Sequence, residues 1–150
     1  MAMSTFAKLN LKDRTEIVVL NAPASFEPEL KALKGVTVRR DVKGGDLDFS
    51  LAFVMTQKEV DTLGPQVAQK TNGDAVVWFA YPKGSSKKYK SQINRDNGWA
   101  VMGKAGFEPV RMVAIDEDWS ALRFRRVEFI KTMTRPKEWR LTKNAKGKKG

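Results

Sequence analysis

Val110-Arg111-Met112-Val113-Ala114-Ile115 and Trp119-Ser120-Ala121-Leu122-Arg123-Phe124-Arg125-Arg126-Val127-Glu128-Phe129 are two strand-like runs joined only by Asp116-Glu117-Asp118. A joint that short cannot cross over a sheet, so the two runs form an antiparallel hairpin. Everything upstream reads differently. Ala75-Val76-Val77-Trp78-Phe79-Ala80-Tyr81 is apolar throughout, as a strand covered on both faces must be, and is expected at the centre of the sheet.

Working outward, Glu16 to Asn21 is a first strand, Val36 to Arg40 a second and Leu47 to Met55 a third. Glu27 to Lys34 reads as a short helix, with acids and Pro28 in its first turn and Gly35 after it. Thr56-Gln57-Lys58-Glu59 is a capping box that opens a helix carrying Val60, Leu63, Val67 and Ala68. Pro65 is expected to kink or restart that helix, and Asn72-Gly73 to end it. After a polar loop from Pro82 to Lys90, a helix is expected over roughly Arg95 to Lys104. Strand–helix–strand units favour parallel pairing with right-handed crossovers. The expected architecture is therefore α/β, three-layered, with a mostly parallel open sheet ending in an antiparallel hairpin. Asp41 to Asp46 is short for a parallel crossover, which usually takes a dozen residues or more.

The 150 residues suit one domain, expected over 1–130, with a basic tail, partly disordered, over 131–150. The net charge is +11, and +7 of it lies in that tail, which holds eight basic residues and one acid, Glu138. Such a tail either contacts nucleic-acid phosphates or is solvated. There is no cysteine and no histidine, which removes disulfides, thiolate chemistry, zinc sites and histidine-dependent triads. No metal site is expected. No apolar run reaches membrane-span length, and Met1 to Asn10 lacks a signal-peptide core, so a cytoplasmic setting without membrane partners is expected. The sequence does not speak to oligomeric state.

Val18-Val19-Leu20-Asn21-Ala22-Pro23, Tyr81-Pro82-Lys83-Gly84-Ser85-Ser86-Lys87, Asn94-Arg95-Asp96 and Ala114 to Phe124 resemble a group of short bacterial proteins, the domain-of-unknown-function family numbered 3052. The resemblance covers about residues 6–126. It implies a bacterial origin and a compact sheet of the reduced class I methyltransferase-like Rossmann type, and it implies no reaction.

Ligands of open α/β sheets sit outside the carboxyl ends of the parallel strands. The most chemically loaded loop there is Lys83-Gly84-Ser85-Ser86-Lys87-Lys88. Gly84 would let the backbone curl, Ser85 and Ser86 offer hydroxyls, and the lysines add charge. A helix starting near Ser86 would complete an anion-binding concavity. Its plainer reading is a capped loop with solvated lysines. Asn21, Arg95, Asp116, Asp118 and Trp119 are candidate neighbours. Asp116, Glu117 and Asp118 could do acid–base work or bind a metal, but the plainer reading is a charged turn making salt bridges to Lys83 or Arg95. Trp119 and Trp99 could stack a base or belong to the edge of the core.

The turn after the first strand, Asn21-Ala22-Pro23-Ala24-Ser25, has no glycine, and Pro23 has no N–H to offer. Asp41, just past the second strand, is placed to hold a ribose, although such acids are commonly solvated turn residues. On this turn the sequence favours a non-catalytic, methyltransferase-like binding domain without a cofactor, its partner a nucleotide, another phosphate-containing small molecule or a nucleic acid. The alternative is a divergent S-adenosylmethionine-dependent methyltransferase with an altered cofactor loop.

Overall fold

A computed structural model describes residues 5–43 and 46–130. Its elements run α1 (Thr5–Lys8), β1 (Glu16–Leu20), a 3-10 turn at Ala24–Phe26, α2 (Glu27–Lys31), β2 (Thr37–Arg39), β3 (Leu47–Phe53), α3 (Gln57–Lys70), β4 (Thr71–Pro82), α4 (Ala100–Lys104), β5 (Phe107–Ala114) and β6 (Trp119–Arg126). The expected basic tail lies outside the described residues.

All six strands join one sheet in the order β2-β1-β3-β4-β6-β5. The pairs β1–β2, β1–β3 and β3–β4 are parallel, while β6 runs antiparallel to both β4 and β5. The fold is thus the mostly parallel α/β sheet with a terminal antiparallel hairpin that the sequence implies. The alternating side chains of the inner strands build two cores. Phe49, Leu51, Phe53, Val76, Trp78 and Ala80 face one side, against Phe6, Leu9, Phe26 and Leu30. Ala52, Val77, Phe79 and Tyr81 face the other, against Val60 and Val67 of α3 and Met102 of α4. These are the three layers.

The short link between β2 and β3 has a geometric explanation. Arg39 and Ser50 both lie level with Val18 of β1. The chain therefore drops back only three residues, about 10 Å, while crossing two strand spacings of about 4.8 Å each. A link of this length is long enough to span that distance, because about 3.3 Å per residue is available. Val42 packs on the α3 side of the sheet as the chain crosses.

Three local expectations are corrected. Asn72-Gly73 does not end α3. The pairing slips between Leu47↔Thr71 and Phe49↔Val76, so these residues form a bulge inside β4, with Gly73 at φ 58°. Pro65 does not restart α3, which runs unbroken from Gln57 to Lys70. Finally, α4 starts at Ala100 rather than Arg95, because Asn94 Oδ1 accepts the backbone N–H groups of Asp96 and Asn97 and holds that segment as a turn.

Candidate functional site

The connection after β1 runs left to β2 through α2, and the connection after β3 runs right to β4 through α3 on the opposite face. The loops leaving β1 and β3 therefore diverge, and the crevice between their carboxyl ends is the topological switch point of the sheet. Asn21 stands there, exposed, with φ 59°. Asparagine tolerates this left-handed conformation better than other residues with a side chain. Its Nδ2 donates to the Phe53 carbonyl at 3.3 Å, spanning the gap between β1 and β3.

Around the crevice, Arg40 clasps Glu27 with two hydrogen bonds of 2.8 and 2.9 Å, fixing the end of β2 to α2. The Arg40 hydrogen bonds hold the Glu27 carboxyl below its ordinary range. Asp41 is exposed, and its Oδ1 accepts the Lys43 N–H at 3.0 Å. Across the crevice, Thr56 Oγ1 accepts the Glu59 N–H, while Glu59 Oε1 accepts the N–H groups of Met55 and Thr56. The expected capping box therefore fixes the loop after β3.

The loop after β4 lies further along the same edge, beside the β5–β6 turn. The Lys83 N–H bonds the Asp118 carbonyl at 2.8 Å, and Ser86 Oγ donates to Asp118 Oδ1 at 2.9 Å. Ser86 Oγ also accepts the N–H groups of Lys88 and Tyr89. An open groove of about 490 Å³ is lined by Ser85, Lys87, Lys88, Glu117 and Asp118. Lysines and carboxylates thus share this groove, as expected of two loops that meet on one edge.

Other expected features are absent or otherwise engaged. No helix starts near Ser86; residues 83–99 contain turns and bends, and α4 begins at Ala100. Gly84 is not in the left-handed region, and a Cβ there would meet nothing within 4 Å, so the curl does not need glycine. Asp116 Oδ1 accepts the N–H groups of Asp118 and Trp119 and holds the turn. Arg95 is exposed beside Asp96, 3.6 Å away. Trp119 and Trp99 are buried, at 3% and 2% exposure, and so belong to the core rather than to a stacking platform. Trp119 meets Phe53 edge-on at 5.1 Å and Tyr89 at 5.1 Å, forming an aromatic wall between the crevice and the groove.

At the opposite edge, a cavity of about 300 Å³ is lined by Asp13, Arg14, Glu16, Arg39, Asp46 and Asp48 among others. Arg14 and Asp48 pair at 2.6 Å within it. It lies at the amino ends of the parallel strands, away from the edge where such sheets bind ligands. Among the described residues no cluster of acids suits a metal, and no helix is long and apolar enough to cross a membrane.

No protein-family model and no curated protein matches the sequence, so the resemblance to family 3052 rests on the quoted motifs. Solved structures do match. A putative type 11 methyltransferase from Sulfolobus solfataricus shares 11% identity over 87% of this chain and 80% of its own, with a TM-score of 0.50. The N-methyltransferase NodS from Bradyrhizobium japonicum WM9 shares 10% identity over 80% of this chain and 91% of its own, with a TM-score of 0.49. A second NodS structure, in complex with S-adenosyl-L-homocysteine, gives 9% identity, 83% and 100% coverage, and a TM-score of 0.48.

The fold is methyltransferase-like. At this identity the likeness speaks to fold alone. The expectation that the chain takes no cofactor is corrected, since the fold is shared with a putative type 11 methyltransferase. The physical reason for the misreading is Asn21. In a turn without glycine, it takes the left-handed conformation that glycine commonly supplies.

Proposed function

We propose that this protein is a divergent S-adenosylmethionine-dependent methyltransferase, with its cofactor at the crevice between β1 and β3. The observation that carries the reading is Asn21, left-handed and exposed, bridging to Phe53 at the switch point of a methyltransferase-like sheet. The residues present fit the group at two points. The Asn21 turn brings the backbone after β1 to the crevice without a glycine. Asp41 follows Asn21 by 20 residues, at the position where dinucleotide-binding sheets place an acid for ribose hydroxyls, and it is exposed, with only its Oδ1 bonded to the turn at Lys43. Pro23 supplies no N–H, so fewer backbone donors face the ligand than in a glycine-rich turn.

When bound, the sulfonium supplies a methyl group for transfer to a nucleophile. The chain's own residues orient the partners. Glu59 and Thr56 fix the loop after β3 at the crevice that would hold the cofactor, and the Arg40–Glu27 clasp holds the end of β2. The groove at Ser85, Lys87, Lys88, Glu117 and Asp118 lies beyond the Phe53–Trp119–Tyr89 wall and suits a polar acceptor with charges of both signs.

Calorimetric titration with S-adenosylmethionine and with S-adenosyl-L-homocysteine tests this reading. Saturable one-to-one binding is expected. No heat at millimolar ligand, over a range of temperatures, refutes it.

A further inference from the structure

Arg111 of β5 and Arg123 of β6 stand directly opposite each other in the antiparallel register. Arg123 also pairs across from Trp78, which faces the Phe6–Phe26 side of the sheet. Both arginines and Arg125, two residues further along β6, therefore share the face away from α3 and α4. Like charges directly opposite in a sheet are unfavourable, so an uncompensated pair calls for a reason.

The compensation is uneven. Arg125 is held by Asp74 with hydrogen bonds of 2.7 Å, and buried Glu108 lies across from it in register. Nearby Arg14 is paired with Asp48. Neither Arg111 nor Arg123 has an ion-pair partner among the described residues. The Nε of Arg123 is buried with no hydrogen-bond acceptor. Burial, with Arg125, Arg14 and Arg111 adding repulsion against the attraction of Asp74, pushes its pKa down. Further along the sequence, residues 131–150 bring eight more basic side chains.

We propose that the Arg111–Arg123 pair, with Arg125 beside it, is a clamp for the phosphodiester backbone of a nucleic acid. A guanidinium offers a planar fork of donors that matches phosphate oxygens, and an anion between two unpaired forks removes their repulsion. Arg123 and Arg125 share one face of β6, and the sequence at 131–150 is basic, which fits an extended polyanion better than a single small one. The groove at the carboxyl edge mixes acids with lysines, whereas this pair does not. The site is separate from the cofactor crevice, so either assignment can fail without the other.

The test is fluorescence anisotropy of a labelled single-stranded RNA titrated with the full chain from 50 to 200 mM salt, without cofactor. Binding is expected, with log affinity falling linearly in log salt. Arg111→Ala/Arg123→Ala should weaken it about tenfold or more and reduce the slope by about 0.7 for each phosphate no longer neutralised. Arg111→Ala alone, at an exposed position, serves should the double variant unfold, and should reproduce part of both changes. Unaltered affinity and slope in a folded variant would overturn the proposal. So would a wild-type chain that binds no RNA or DNA at 50 mM salt, or one whose arginine-dependent binding is to phosphatidylserine vesicles instead.

Discussion

The side chain of Asn21 donates from Nδ2 to the carbonyl of Phe53 at 3.3 Å, so the residue just past β1 ties the ends of two neighbouring parallel strands together. The backbone of Asn21 is at φ 59°, whereas an extended residue would direct its side chain out of a face of the sheet rather than across to β3. One residue thus supplies both the turn and the bridge at the switch point.

Replacing Asn21 separates these roles. Asn21→Gly keeps the backbone shape and loses the bridge, whereas Asn21→Ala loses both. A left-handed residue with a Cβ costs roughly 1–2 kcal/mol. Urea unfolding should show Asn21→Ala less stable than Asn21→Gly by about 1 kcal/mol. Equal stabilities would mean that the turn relaxes to another shape.

Gly98 is the tightest glycine position among the described residues. A Cβ there would lie 2.3 Å from Ile93 Cγ2, and φ is 105°. Ile93 is buried against the α4 core, and the Gln57 side chain donates to the Gly98 carbonyl. Gly98→Ala should lower the melting temperature by several degrees, at roughly 2–4 °C per kcal/mol for a chain of this length. A loss within 1 °C would show that residues 91–99 pack loosely.

Ser86 makes one hydrogen bond to Asp118 and accepts two backbone N–H groups. Ser86→Ala should cost about 1–2 kcal/mol in urea unfolding, since two donors and a carboxylate lose their partner. Lys87→Ala, whose side chain lines the groove and is exposed, should be neutral to stability. The same small effect from both would mean that the loop is not held by this serine.

The hydrogen bonds from Arg125, aided by its charge, hold the Asp74 carboxyl below its ordinary value. A folded-state pKa below the unfolded one stabilises the fold above the unfolded value, near 3.9, and the contribution fades as pH falls further. Asp74→Asn should flatten the loss of stability below about pH 4 while changing its slope at neutral pH little. Both groups are about one-third exposed, so screening keeps the effect modest. An unchanged acid limb would remove Asp74 from the account.

The features legible in the sequence are those set by local chemistry. The apolar run at 75–81, the three-residue acidic joint and the Thr56–Glu59 box each force one structure, and each is observed. Asn72-Gly73 misled because the pair serves equally as a helix end and as a bulge, and only pairing with Leu47 and Phe49 decides between them. α1 is four residues long, too short for a periodic signal. Residues 83–99 take their path from distant partners such as Asp118, Met55 and Gln57, which no local pattern announces. At the candidate site, the edge of the sheet was readable. Asn21 in the role of a glycine was not, because its conformation is fixed by a bond to Phe53, 32 residues away.

The most direct measurement is a nuclear magnetic resonance titration of the labelled full chain with S-adenosylmethionine. Ligand at 100 times its dissociation constant stabilises by about 2.7 kcal/mol, so saturation can be confirmed independently by melting. The account predicts saturable shifts at the amides of Asn21, Ala22, Asp41 and Val54 to Thr56, with those of Arg111 and Arg123 unmoved. No saturable shift, or shifts confined to Ser85 to Lys88 or to the arginines of β5 and β6, would contradict it.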